Sequence, residues 1–424
     1  MASGYADIAT TAVADVQSTF KQVYLMAVNS VPDATSLSAQ FKRTRKFKIA
    51  PDGLTFNAKL ETGGKVANVP DGKLLPKASR PQRKQGKANA AYTYTVIAVG
   101  GQSLPLTEDN RNAFVSNLED QMEDAMTRVR LDLERQLNGD GRGILCVLET
   151  VVGAPTYGAY QAYGLATPVG APGTLLLVEG MEVAFINPVD GTERGRSTIT
   201  AVDASADTFT TAAAPAGGAI GDYVVLCNDV DATGSDLANN YLAESAGIQA
   251  VCNSADTFEA IDGTAYRRWN SPRLNAAGAS VTEKMLATEE AKARAKSGKK
   301  PNLHYTTPGI SIDLQDSLSG LRRFTERKKL SGGYEGLDIN GRTVIEGDYA
   351  PKGTWFQLNT DEDCVGMMDL VKMGFVDVDG AKLHRMEGRH AYRADLFVPH
   401  GPIWFSRAAH RMIHNLADDT SITR

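Results

Sequence analysis

Residues 107–137 read TEDNRNAFVSNLEDQMEDAMTRVRLDLERQL, and this stretch decides the fold. Phe114, Leu118, Met122, Ala125, Val129, Leu133 and Leu137 recur every three or four residues, which places them on one narrow helical stripe. Thr107 is the expected cap, Glu108 and Asp109 suit the positive end of the helix dipole, and Asn138-Gly139 is the expected left-handed stop. Asp124 with Arg128, and Arg130 with Glu134, add support one turn apart. At 1.5 Å per residue such a helix runs to roughly 45 Å, longer than an ordinary core requires. The pattern predicts a spine.

The stretch before it has the opposite character. Between Lys42 and Lys87 thirteen basic residues, among them Lys65, Lys73, Lys77, Arg80, Arg83, Lys84 and Lys87, stand against Asp52, Glu61 and Asp71, a net of +10. The whole chain carries −5, so the remainder carries −15 and the molecule is polarised along its sequence. Phe47, Ile49, Leu54, Phe56 and Leu60 alternate with polar residues, and Tyr92, Tyr94, Val96 and Ala98 alternate on the return leg. Two antiparallel strands flanking a Gly/Pro/Lys tip are therefore expected. An arm of this kind buries no core of its own and needs a neighbour to lie on.

At 424 residues, 42% hydrophobic and 22% charged, the chain is globular with material for two or three domains. It holds no run of eighteen apolar residues, and Met1 to Asp7 lacks the basic and apolar blocks of a signal peptide, so neither membrane spanning nor export by that route is expected. Cys146, Cys227, Cys252 and Cys364 have no CxxC spacing and read as buried free thiols.

Ile8, Val13, Val16, Phe20, Val23 and Tyr24 predict a short amphipathic helix in an N-terminal arm, followed by a turn-rich connection at 29–38. The glycines of Asn138-Gly139-Asp140-Gly141-Arg142-Gly143 follow a helix and lead into the apolar run Ile144 to Leu148. A dinucleotide fingerprint instead joins a strand to the start of a helix, so this cluster reads as a stop and a turn. From 166 to 229 charges thin out, and segments at 180–186, 197–202, 208–210 and 223–226 predict a small inserted β-barrel or sandwich. Beyond Ala246 the pattern is mixed. Ser280 and Glu283 form an expected capping box for a helix ending at Ser297-Gly298, Leu303 to Thr306 and Thr343 to Glu346 read as strands, and Pro308 begins a helix. Long antiparallel strands are expected at 364–370, 382–386 and 394–406, with a hairpin turn at Asp379-Gly380 and a last helix over 407–415.

Catalytic motifs are absent from the sequence: there is no GxxxxGK[ST], GxSxG or HExxH. His410 and His414 fall one turn apart on the predicted last helix, but no third zinc ligand is near, so they read as packing residues. Asp377-Val378-Asp379-Gly380 opens like a calcium loop, yet position twelve is Gly388 rather than a glutamate. No catalytic, cofactor-binding or metal residue is assigned, and no enzyme activity or cofactor is expected.

The order of elements is informative in itself. An N-terminal arm, a basic two-stranded loop, a spine helix and an α+β body closing on long antiparallel strands resembles the major capsid proteins of tailed bacteriophages, the Hong Kong 97-like fold. Leu133-Glu134-Arg135-Gln136-Leu137-Asn138-Gly139-Asp140-Gly141 resembles that family's spine terminus, and Tyr266-Arg267-Arg268-Trp269 is similar to the start of its axial domain. Leu330 to Leu337, Ile339-Asn340-Gly341 and Ala350-Pro351-Lys352-Gly353-Thr354 resemble a stretch common in one branch of phage coat proteins.

The resemblance implies an N-arm at 1–40, an E-loop at 41–104, and the spine with the first part of a peripheral domain at 105–165. It further implies the inserted β module at 166–229, an axial domain at 230–340, and peripheral strands with a C-terminal axial segment at 341–424. It implies a structural protein of the virion, assembled in the host cytoplasm into hexamers and pentamers of an icosahedral head around double-stranded DNA. Its partners would be other copies of itself, a portal, a separate scaffolding protein, decoration proteins and the packaged DNA by non-specific contact, with no membrane. Some relatives join an E-loop lysine covalently to a peripheral asparagine; here Met386 to Arg393 holds no asparagine, so no cross-link is expected. Charge polarity suggests that the E-loop lysines and arginines named above meet Glu119, Asp120, Glu123 and Asp124 on another subunit's spine. The alternative is a nucleic-acid-binding protein using the basic 42–87 segment, with Phe47, Phe56 and the Tyr92/Tyr94 pair stacking on bases. The acidic remainder and the lack of a nucleic-acid-reading motif argue against it.

Overall fold

The structure, a computed structural model, describes residues 37–50, 53–60, 66–71, 73–77, 80–100, 111–153, 155–160, 173–215, 218–229, 239–252, 257–319, 327–329, 335–339, 341–368, 374–375, 384–385 and 391–418. The expected N-terminal helix, Thr107 as a cap, the Asp379-Gly380 turn and most of the Leu330 to Leu337 motif's first half lie outside them. Compactness divides the chain into two units: 1–33 with 91–135 and 369–400, and 34–90 with 136–368 and 401–424.

After a single turn, α1 (Leu37–Gln40), come β1 (Arg43–Thr44), β2 (Lys48–Ala50), β3 (Gly53–Lys59), β4 (Arg83–Ala88) and β5 (Ala91–Gly100). β2, β3 and β4 form one antiparallel sheet, with Phe56 opposite Gly86 and Lys59 opposite Arg83. The return strand of the arm is therefore β4, not the Tyr92 to Ala98 stretch expected from alternation. β4 reads RKQGKA and buries only Gly86 and Ala88, so it carries no apolar periodicity to find.

α2 (Arg111–Asn138) is the spine, 28 residues and about 42 Å long. Of the predicted stripe, Ala125, Val129 and Leu137 are buried, joined by Met126, and Leu133 is half-buried. Its end differs from expectation. Gly139 does not take the left-handed conformation; its N–H closes a tight turn on the Gln136 carbonyl at 3.1 Å, and the positive φ angles fall on Gly141 (85°) and Gly143 (74°).

β6 (Ile144–Gly153), β7 (Thr156–Ala159), β8 (Glu182–Ile186), β9 (Glu193–Asp203), β10 (Thr208–Thr211) and β11 (Tyr223–Leu226) close into a barrel in the order β10-β7-β6-β11-β8-β9. Its interior is filled by Leu148, Tyr157, Phe185, Ile199, Phe209 and Val224, with the Tyr157 ring 5.3 Å from Phe185 and 5.6 Å from Phe209. Two of the six strands, β6 and β7, precede residue 166.

The body continues with α3 (Ile248–Val251), β12 (Thr257–Phe258), β13 (Ile261–Asp262), β14 (Leu274–Asn275), α4 (Glu283–Ser297), β15 (Leu303–Thr306) and α5 (Pro308–Ser319). β16 (Arg327–Lys329), β17 (Glu335–Ile339), β18 (Arg342–Glu346) and β19 (Trp355–Leu358) follow. The chain closes with β20 (Val365–Met368), β21 (Gly374–Phe375), β22 (His384–Arg385), β23 (Ala391–His400), β24 (Pro402–Trp404) and β25 (Arg411–His414). A seven-stranded mixed sheet runs β14-β25-β19-β15-β18-β17-β16. Leu286 of α4 and Ile310 and Leu314 of α5 bury the core on it with Val344, Trp355 and Ile413. Among the α4 caps, Thr282 rather than Ser280 accepts the Met285 N–H, at 3.2 Å, and Gly298 ends the helix at φ 79° as expected.

The predicted helix over 407–415 is instead a 3-10 turn, Arg407–Ala409, followed by β25, whose four residues are all buried between β14 and β19. Its sequence, Arg-Met-Ile-His, gave no alternation because both faces are covered. The expected single strand at 394–406 is broken by Gly401, at φ 151°, into β23 and β24. β23 pairs with β5 along ten residues, from Ala391 opposite Gly100 to His400 opposite Ala91, and on its other side with β21 and β22.

Candidate intersubunit surfaces

The arm is anchored at its root by one aromatic joint. Alternation in β3 turns Leu54, Phe56 and Ala58 inward, and Phe56 lies 5.4 Å edge-on to Phe405 and 6.3 Å from Trp269. The Trp269 indole N–H donates to the Phe258 carbonyl at 3.1 Å, so the ring behind Phe56 is fixed. Gly86, opposite Phe56 on β4, has no side chain because a Cβ there would run into the Phe56 ring. The sequence signal for this joint was a glycine inside a lysine-rich stretch.

β4 is tied down again where the Lys87 N–H donates to the Glu259 carbonyl at 2.9 Å. Glu259 and Ala260, at φ 49° and 64°, form the two-residue turn between β12 and β13, a conformation that glycine or asparagine usually supplies. The Glu259 carboxyl points inward: one oxygen accepts the Trp404 N–H at 3.4 Å, and the other is buried with no hydrogen-bond partner. Burial holds its pKa well above the usual carboxylate range, against the opposing pull of the Trp404 N–H and Arg407.

Ion pairs fix the start of the arm. Lys42 reaches Glu362 at 3.4 Å, and Lys46 reaches Asp363 at 3.2 Å and Glu362 at 3.7 Å. Lys46 and Lys299 hold the Asp363 pKa below its ordinary value. Asp361-Glu362-Asp363, the one acidic triplet in the chain's last quarter, thus meets the start of the arm within the same subunit, a pairing the sequence analysis does not include. Beside these pairs lies an open cleft of about 1120 Å³ lined in part by Arg45, Lys48, Lys59 and Arg268. The stacking expected of Phe56 in a nucleic-acid-binding reading is not available there, because the ring is buried in the joint.

Of the predicted E-loop residues, Lys73, Lys77, Arg80, Arg83, Lys84 and Lys87 are exposed, with the Lys84 ammonium 5.6 Å from the Tyr266 ring centroid. Lys65 lies outside the described residues. Glu119, Asp120, Glu123 and Asp124 fall on the described backbone of α2, but their side chains do not belong to the described set. The arm's tip is bare: Val66, Leu74 and Leu75 are 97%, 96% and 81% exposed.

A second apolar surface lies on the sheet of β5 and β23. Tyr92, Tyr94 and Val96, successive outward positions of β5, are 59%, 61% and 51% exposed. The Tyr92 ring stacks on Phe397 at 5.8 Å and 9°, and Tyr94 lies 5.0 Å from the same ring. Arg393 and Asp395, next along that face, neutralise each other at 2.6 Å. Among the described strands β5 pairs with β23 alone.

The groups that would serve chemistry are poorly placed for it. All four cysteines are free and buried, and burial raises each thiol, Cys252 to about 12 and Cys227 and Cys364 to about 11, so none is a thiolate near neutrality. His410 is buried edge-on to Trp404 at 4.9 Å and pushed down to about 3 by desolvation; His414 sits on β25, not on a shared helix with it. No group of three metal-ligating side chains occurs among the described residues, and no helix among them is long and apolar enough to cross a membrane.

No protein-family model matches the chain, and no curated protein matches it. Among solved structures, a chain of the capsid asymmetric unit of Cyanophage A-1(L) superposes with a TM-score of 0.51 at 10% identity, over 93% of each chain. This chain has a phage capsid fold. Chains from Mycobacterium phage Patience (TM-score 0.42, 8% identity, 98% and 95% covered) and Gordonia phage Cozz (TM-score 0.42, 12% identity, 92% and 90% covered) superpose less well.

Proposed function

We propose that the chain is the major capsid protein of a tailed phage, of the Hong Kong 97-like type, assembling into the hexamers and pentamers of an icosahedral head around double-stranded DNA. The observation that carries this reading is the capsid fold shared over 93% of the chain. Three features support it. The arm holds its own root by a buried joint while leaving its tip bare, which suits an element that lies on another molecule. Bare apolar residues on two separate surfaces suit heterologous contacts, which close into rings when the rotation allows. The raised thiols and buried histidines fit a structural role rather than an enzymatic one.

In this reading 1–40 is the N-arm, 41–104 the E-loop, 105–165 the spine and first peripheral part, which also gives the barrel its first two strands, 166–229 the rest of the inserted module, 230–340 the axial domain and 341–424 the closing peripheral and axial segment. The barrel is a module inserted between spine and axial domain and projecting from the shell. The basic E-loop, with Lys65, Lys73, Lys77, Arg80, Arg83, Lys84 and Lys87, is attracted to the acidic spine positions Glu119, Asp120, Glu123 and Asp124 of another subunit. Each exposed pair is worth about 0.2–1 kcal/mol, so several together steer assembly without any one holding it. Portal, scaffolding and decoration proteins and packaged DNA are the further partners. Expression alone and with neighbouring gene products, followed by electron microscopy, tests the reading: shells, tubes or capsomers are expected, and a monodisperse monomer under every condition refutes it.

A further inference from the structure

We propose that the loop Ala350-Pro351-Lys352-Gly353-Thr354 is a latch that holds the barrel on the body, and that the segment Leu416 to Asp418 keeps the latch shut, so that displacing this segment frees the barrel. The latch stands on the fold alone and needs no particular assembly. On the barrel side the contact is one buried carboxylate. Asp207 closes the β9–β10 turn at φ 48°, a conformation most side chains avoid, and its carbonyl accepts the Ala159 N–H at 2.8 Å. Its Oδ1 accepts the Thr174 N–H at 3.3 Å and the Thr174 hydroxyl at 3.2 Å, and the Lys352 ammonium lies 3.5 Å from the same oxygen. Gly173 permits this approach, since a Cβ there would sit 2.7 Å from that oxygen. Lys352 and Asp207 are both buried, and removing either charge leaves the other uncompensated away from water. The turn therefore keeps its place only while Lys352 keeps its own.

Lys352 is placed by what grips the residue after it. The Gly353 N–H donates to Asp418 Oδ2 at 2.8 Å, and the Gly353 carbonyl accepts the Leu416 N–H at 3.0 Å. Asp418 Oδ2 also accepts the Thr307 hydroxyl at 2.9 Å, just before α5, while the Ala417 N–H donates to the Ala279 carbonyl at 3.2 Å. Leu416 is fully buried in the core beneath α4 and α5. Residues 416–418 thus hold both polar groups of the Gly353 backbone, and the neighbouring side chain carries the ammonium to the barrel. The barrel's entry and exit are tied separately, where the Leu242 N–H donates to the Arg142 carbonyl at 3.2 Å and the Asn240 N–H to the Leu226 carbonyl at 2.9 Å. Opening the latch therefore leaves the barrel attached and its own core intact, and what changes is its freedom to move as a body. The stretch Ala350 to Thr354, which the sequence marks out without explaining, gains a physical task.

The test measures the barrel's position in the free, full-length subunit. All four native cysteines are buried, so introduced ones are labelled selectively. Nitroxides on Val189→Cys, at the tip of a barrel hairpin, and Ala287→Cys, on the exposed side of α4, report one distance by pulsed electron spin resonance. The parent should give a single narrow distance. Lys352→Met and Asp418→Ala should each lose it to a broad distribution, and the two together should be no broader than Lys352→Met alone, because the grip of 416–418 acts through that one side chain. Asp418→Asn, which keeps an oxygen to accept both hydrogens, should retain the narrow distance. Should Asp418→Ala fail to fold, Thr307→Val removes one of the two hydrogen bonds to Asp418 and should broaden the distance in part. A distance that stays narrow in Lys352→Met overturns the latch. One that broadens there but stays narrow in Asp418→Ala, or in Thr307→Val where that variant replaces it, overturns the control by 416–418, as does a double variant broader than both singles.

Discussion

The joint at the arm's root makes a quantitative prediction. Gly86→Val places a branched side chain against the Phe56 ring, and the ring has nowhere to go, since Phe405 lies 5.4 Å from it edge-on and Trp269 6.3 Å away. Overpacking of this kind costs about 1–3 kcal/mol. Phe56→Ala removes a buried aromatic instead and costs about 3–5 kcal/mol. If the two residues share one space, the double variant Phe56→Ala/Gly86→Val costs less than the sum, because the valine fills part of the cavity that the ring vacates. The expected coupling is about 1–2 kcal/mol, within the range seen for residues in direct contact. Amide hydrogen exchange of β3 and β4 in the free subunit reads this locally: a cost of 1–3 kcal/mol corresponds to roughly 5- to 150-fold faster opening. Strict additivity, or an unchanged exchange rate in Gly86→Val, would refute the joint.

Other consequences concern pH, the barrel and covalent chemistry. The raised Glu259 carboxyl binds its proton more tightly folded than unfolded, so its contribution is fully present below the ordinary carboxylate pKa and is lost as pH rises through the folded value. Glu259→Gln keeps an acceptor for the Trp404 N–H without the charge, and should raise the denaturation midpoint at pH 8 more than at pH 4, with equal shifts counting against the argument. His400, buried and 3.0 Å from the Thr93 hydroxyl, is pushed down to about 4, so its effect has the opposite sign: stability present above about 6.5 declines toward pH 4. That decline should show as an acid-sensitive midpoint in Glu259→Gln and be reduced by adding His400→Gln. Lys352 reaches Asp207 at 3.5 Å with both buried, so Lys352→Met should cost about 3–5 kcal/mol and the double variant Lys352→Met/Asp207→Asn much less, measured by thermal unfolding. Replacing 166–229 by a Gly/Ser linker removes four of the barrel's six strands and exposes Leu148 and Tyr157; soluble yield should fall further than when 144–226 is replaced. With no asparagine in Met386 to Arg393, particles boiled in detergent should run as single subunits, and a covalent ladder would contradict this.

What the sequence revealed followed from how many faces of an element are buried. The spine packs one face, so its stripe was readable, and Ala125, Val129 and Leu137 are buried as the period requires. β15 and α5 begin where Leu303 and Pro308 indicated, because composition and a proline punctuate them. β25 and the return strand β4 were missed for opposite reasons: one is covered on both faces and the other barely covered on either, so neither alternates. Non-local pairing was out of reach as well. Nothing in Tyr92 to Ala98 says that its partner lies about three hundred residues away in β23 rather than in the adjacent arm. The basic arm was visible as charge, but its aromatic joint was not, since Phe56, Gly86, Trp269 and Phe405 meet only in three dimensions.

In the proposed reading this chain builds a shell from copies of itself. Electron microscopy of the purified protein, expressed with its neighbouring gene products and examined across a salt series, tests it most directly. Closed shells or capsomer rings of five- and six-fold symmetry are predicted, and assembly should shift with ionic strength because the arm and the remainder of the chain carry opposite charge. A folded protein that stays monomeric at every salt and protein concentration would contradict a shell-forming role.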